Sequence, residues 1–186
     1  MTDPRRERIP VQPIKSPEID RKTDARPTND SEQPPVRGIA HDALSVFLGT
    51  WRAEGRSFGG TDQSGADPKA NGVAWVSTHT ARWHTGGFFL IQEEKATIDG
   101  SAFDTLSILG VEPHNKGHFA RTFENHGFYR HYAISVDGPT WHLEGETERA
   151  RTDFSADGDT QRITWEWMRN GKWLPLCDRV ATRIAK

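Results

Sequence analysis

Past Gly49 the chain alternates between apolar and polar residues with a period of two, segment after segment, and this patterning limits it to an antiparallel β architecture. "TWRAEGRSF" places Trp51, Ala53 and Gly55 on one face and Arg52, Glu54 and Arg56 on the other. "VAWVSTHTARWH" puts Val73, Trp75, Ser77, His79, Ala81 and Trp83 together. Further strands follow in "GGFFLIQEEKATI" from Gly86, "FDTLSILGVEP", "HFARTFENHG", "FYRHYAISV", "WHLEGETERARTDFS", "RITWEWM" and "KWLPLCDRVATRIA". Turn formers separate them: "HNKG", "DGPT", "DGDT" and "RNGK", the last carrying an Asn-Gly pair that favours a tight hairpin. A meander of this kind without intervening helices removes its edges by closing, so the expected fold is all-β, an up-and-down antiparallel barrel of 8–10 strands.

A short helix precedes it in "IAHDALSVFLG", with Asp42 as a candidate cap, Leu44, Phe47 and Leu48 as the apolar stripe, and Gly49 as the stop. Trp51, directly after the turn, is placed to plug one end of the barrel.

Residues 1–38 read differently. Seven of the eleven prolines lie there, with Arg5, Arg6 and Arg8 interleaved among acids, and all seven tryptophans come after residue 50. Such a segment buries too little apolar surface to offset its ordering entropy, so it reads as a disordered, Pro-rich charged tail, with the folded barrel domain over 39–186. The tail could recruit a partner, which would make the protein an interaction module. The net charge of −2 and the lack of a basic stripe exclude nucleic acid as the expected partner. No apolar run is long enough for a membrane span or a signal segment, and a single cysteine, Cys177, suits a reducing compartment. Cytoplasm is therefore the expected location.

"LGTW", "GGFFLIQEE", "LSILGVEPHNKGHFARTF" and "DGPTWHLEGE", in that order, resemble a bacterial domain-of-unknown-function family of calycin-like β-barrels. The resemblance covers most of Leu44 to Arg183 and implies a lipocalin-like barrel with an internal cavity, without implying an activity. Lipocalins share Gly49-x-Trp51 and a late arginine packed over that tryptophan, a part open here to Arg179 or Arg183. "LGTWRAEG" is also similar to the opening of nitrobindins, haem-binding barrels in which a histidine near the last strand ligates iron. In this chain "LCDRVATRIAK" contains no histidine.

Eight histidines raise the question of metal, yet their spacing forms no recurring ligand pair, and no metal or other cofactor is expected. His79 shares its face with Trp75 and Trp83. Arg121 lies between Phe119 and Phe123 on the face expected to point inward, where a guanidinium needs Glu93, Glu94 or a ligand carboxylate. On the strand after it, the face of Tyr132, Ile134 and Val136 is the better core candidate, leaving Tyr129 and His131 outside. The expected function is binding of a small apolar or carboxylate-bearing ligand inside the barrel. Trp75, Trp83, Phe89, Phe123 and Trp165 would line the cavity, and His79, Glu93 and Arg121 would orient the ligand. The alternatives are a metal-independent acid–base enzyme (an isomerase, cyclase or hydrolase) using His79 with Glu93, and a nitrobindin-like haem protein.

Overall fold

A computed structural model of the chain describes residues 34–60, 62–113 and 117–185. The tail expected over 1–38 lies outside them except for its last five residues, 34–38. The polypeptide enters through a helical turn, α1 (Ile39–Ala43), continued by a 3-10 turn (Leu44–Phe47). Asp42 falls inside α1 and does not cap it; Gly38 holds the N-cap position, and Asp42 pairs instead with Arg37 at 2.7 Å. Gly49 then reverses the chain at a φ of 101°, a conformation that favours glycine.

Ten strands follow in chain order: β1 (Gly49–Ser57), β2 (Val73–Trp83), β3 (Leu90–Ile98), β4 (Ser101–Val111), β5 (His118–Glu124), β6 (Tyr129–Asp137), β7 (Thr140–Glu144), β8 (Glu148–Phe154), β9 (Thr160–Arg169) and β10 (Lys172–Ala185). Each is antiparallel to its neighbour, and β1 pairs with β10 to close the barrel. The segment "WHLEGETERARTDFS" divides at 145–147 into β7 and β8, and "GGFFLIQEEKATI" becomes a strand only from Leu90. The closing seam is tight at Gly55: a Cβ there would stand 2.0 Å from the Asp178 carbonyl oxygen. Only a glycine lets the first strand lie that close to the last.

The helical segment plugs the end where β1 begins. Leu44, Phe47, Trp51, Leu90, Leu109, Trp141 and Phe154 form the core there, with Trp51 fully buried. The Trp51 indole N–H donates to the Phe47 carbonyl at 2.9 Å, and His118 Nε2 donates to the Ala40 carbonyl at 2.7 Å. Arg183 settles which late arginine covers the tryptophan: its guanidinium lies 4.0 Å from the Trp51 ring centroid. It also donates to the Leu48 carbonyl, to Val46 O at 3.1 Å and to Gly158 O at 2.8 Å. The last strand therefore staples the plug to the barrel. No helix among the described residues is long and apolar enough to cross a membrane.

Candidate functional site

Beyond the plug the barrel is hollow. A cavity of about 550 Å³ runs from Phe47 to a mouth formed by Gly59, Gly60, Phe103, His126, Phe128 and Trp167, at the strand ends opposite the helix. Its two walls differ in chemistry, because strand register stacks like side chains across neighbouring strands. On β2–β5, His79 faces Glu94, Glu94 faces Thr105 and Thr105 faces Glu124, one inward-pointing row. The next row places Gln92 opposite Ser107, Ser107 opposite Thr122 and Thr122 opposite Arg130. Ser107 and Thr122 hydroxyls are hydrogen bonded at 2.8 Å. From β7, β9 and β10 come Leu143, Ile163, Trp165, Leu176 and Cys177. Glu148 and Thr152 of β8, Gln161 of β9 and Arg179 of β10 stand among them, so the lumen is amphipathic, with the longest polar rows on β2–β6.

Two charged groups are set into it. Deeper in, Arg179 of β10 donates to Glu94 at 2.7 Å, both side chains being less than a tenth exposed. Its guanidinium also stacks on the Trp75 ring at 4.4 Å. Burial alone would raise the Glu94 pKa, but the Arg179 charge, helped by His79 and the neighbouring Ser77 hydroxyl, holds the carboxyl below its ordinary value. His79 is 4% exposed and stacks on Trp51 with centroids 5.9 Å apart. Burial, seconded by the Arg179 charge and opposed by Glu94, pushes its pKa down to about 4, so the ring is neutral at physiological pH. Burial likewise pushes the Cys177 thiol up to about 11, which leaves it protonated and unreactive.

The second group sits nearer the mouth. Arg130 bridges Glu124 at 2.5 Å and Glu148 at 2.9 Å, and the Tyr132 hydroxyl donates to the other Glu148 oxygen at 2.9 Å. Burial, reinforced by repulsion from Glu148, raises the Glu124 pKa against the pull of Arg130. The sequence offers Glu94 beside Glu93 as an interior carboxylate but does not single out Glu124 and Glu148; alternation along β3, β5 and β8 carries that signal once the register is known.

Of the residues expected at the site, Trp75, His79 and Trp165 line the cavity together. Trp83 shares the inward face of β2 but lies at the plugged end, half-buried, with Arg37 over its ring at 5.0 Å. The other four expectations are corrected, three of them by strand parity. Glu93 points outward, 3.9 Å from Arg82, while its neighbour Glu94 takes the interior position. Arg121 and Phe123 lie on the outer face of β5, because the inward set is Ala120, Thr122 and Glu124. Arg121 packs over Phe119 at 5.2 Å and reaches Glu112 at 3.8 Å, so it needs no interior partner. Phe123 stacks on Tyr129 at 4.9 Å, and Phe89, before β3, lies against Phe119 at 6.4 Å. On β6 the expected parity holds for Tyr132 and Ile134, which are buried, and for Tyr129 and His131, which are exposed, but Val136, near the end of the strand, is exposed as well.

Among the described residues no group of three or more histidine, cysteine, aspartate and glutamate side chains is placed to hold a metal ion. β10 turns Cys177, Arg179 and Ala181 inward, and none supplies an imidazole, so the chain does not fit haem in the nitrobindin manner.

A family model described as "Protein of unknown function (DUF1579)" matches residues 37–173. Among solved structures the chain is similar to the crystal structure of Rv2717c from M. tuberculosis. The two share 18% identity with a TM-score of 0.56, over 80% of this chain and 99% of that one, a likeness that bears on the fold alone. None of the curated proteins matches the chain.

Proposed function

The chain belongs to the DUF1579 family of proteins of unknown function, and we propose that it binds one small, largely apolar molecule inside its barrel. The observation that carries this reading is the hollow itself: about 550 Å³ enclosed between a packed plug and an aromatic mouth. Ligand pockets have this size and this mixture of apolar wall with a few convergent polar groups. A barrel that served only as a scaffold would gain stability by filling such a space with side chains, since unfilled volume forfeits dispersion contacts. Trp75 and Trp165 would hold the apolar body, and the polar wall from His79 to Glu124 would orient its substituents.

Native mass spectrometry of the full chain purified from its own host tests this directly. A retained small molecule, released on denaturation, is the expected result. Protein that carries nothing and gives no tryptophan-fluorescence response to apolar probes would overturn it.

A second reading, acid–base catalysis without metal, draws on one observation: His79 and Glu94 are cross-strand neighbours in the cavity wall. The neutral imidazole could take a proton from a bound substrate, with Glu94 and Arg179 fixing the local charge. His79→Gln abolishing turnover of a bound compound, without loss of its binding, would support this reading; unchanged turnover would end it.

A further inference from the structure

The charges that line the cavity do not balance. Glu94, Glu124 and Glu148 face the lumen against Arg130 and Arg179. Among these side chains carboxylates outnumber guanidiniums by one. The excess belongs to the group near the mouth, where one guanidinium serves two carboxylates, since Glu94 is matched by Arg179. Both mouth carboxylates are well covered, with side-chain exposures of 9% for Glu124 and 14% for Glu148. An uncompensated charge at such a depth is costly and gains most from a cation brought in with the ligand. Burial, reinforced by repulsion from Glu148, raises the Glu124 pKa even with Arg130 beside it.

A second observation is independent of the carboxylates. His79, at the head of the row that ends in Glu124, lines the same cavity and makes no hydrogen bond to a described residue. A neutral imidazole keeps one nitrogen lone pair free to accept from a ligand N–H. Interior acceptors thus run along one wall, and at the mouth they meet aromatic rings, Phe103 and Phe128.

We propose that the interior ligand is an amphipathic cation, an apolar body bearing a protonated amine that seats against Glu124 and Glu148 at the cavity mouth. This rests on the interior-binding reading and reverses the charge expected from the sequence. The arginine that suggested a carboxylate ligand, Arg121, lies outside the barrel, and Arg130 and Arg179 each already pair with a lumen carboxylate, although Arg179 Nε has no hydrogen-bond partner among the described residues. An anionic ligand would add a second unbalanced negative charge.

Titration calorimetry of the full chain at neutral pH with decylammonium, decanol and decanoate separates the possibilities. Decylammonium binds about tenfold more tightly than decanol or better, as a charge-assisted contact requires, and decanoate binds most weakly. Glu124→Gln removes the preference for the amine and leaves decanol affinity unchanged. Glu148→Gln provides the same comparison at the second carboxylate. Equal binding of all three probes, or decanoate binding as well as the amine, overturns the charge assignment and leaves interior binding intact. Binding of none of them overturns both. The wild-type ranking decides even where a variant fails to fold.

Discussion

Arg179 reaches across from the last strand to Glu94 of the third, 2.7 Å apart, and the pair is buried against the cavity. A buried pair of this kind contributes little over apolar residues of the same shape, yet removal of one member strands the other. Arg179→Met should therefore lower the unfolding free energy by about 3–5 kcal/mol. The double variant Glu94→Gln/Arg179→Met should recover part of that loss. Urea denaturation of the wild type, Glu94→Gln, Arg179→Met and the double variant gives the comparison, and an additive double variant would contradict it.

Acid should weaken the fold in two stages. His79 has its pKa lowered from 6.5 to about 4 in the folded state. Below pH 6.5 the unfolded chain takes up a proton that the folded chain refuses, so stability falls between pH 6.5 and about 4 and is level above. The full span is about 3 kcal/mol. Glu94, depressed below 4.5, keeps its contribution above that pH and loses it only on further acidification. His79→Gln should flatten the upper stage and spare the lower one. Chemical denaturation repeated at several pH values reads both.

The seam between β1 and β10 should not tolerate a methyl group. At Gly55 it would meet backbone on the partner strand, Asp178 O at 2.0 Å and Arg179 Cα at 2.7 Å, where no side-chain rotation brings relief. Gly55→Ala should cost about 1–3 kcal/mol or more. Gly138, whose Cβ position is open but whose φ is 56°, is a useful contrast, since alanine there strains only the local turn. Thermal melts of the two variants should rank Gly55→Ala as the less stable.

Arg121→Ala should change stability by less than about 1 kcal/mol, because its nearest carboxylate is 3.8 Å away and both side chains are well exposed. It should also leave binding of any interior ligand unchanged. A selective loss of carboxylate binding in this variant would restore the inward orientation that the strand register rules out.

Much of this architecture was legible before any coordinates. Alternation past Gly49, hairpin turns and the helix-to-strand change at Gly49 are local signals, and they specified a closed meander; the family resemblance is borne out over residues 37–173. Parity was harder to read. On β2 large aromatic residues share the inward face with His79, so apolarity and burial agree. On β5 they part company: Phe119 and Phe123 cover the outside of the barrel, and Ala120, Thr122 and Glu124 face the cavity. A face more apolar in sequence is then the outer one, and Arg121 goes with it. Glu93 and Glu94 are adjacent, so a single step of register decides which enters the cavity. That step is fixed by pairing with Thr80 and His79, a long-range relation that no local window contains.

Arg183 clasps the carbonyls of Val46 and Leu48 from the far end of the chain. The entrance segment therefore gains this anchor only when the tenth strand has docked beside the first, some of the most distant pairings in the molecule. Docking of the last strand thus completes the closed end of the cavity, and the mouth at the opposite end is the route by which a guest enters the folded barrel.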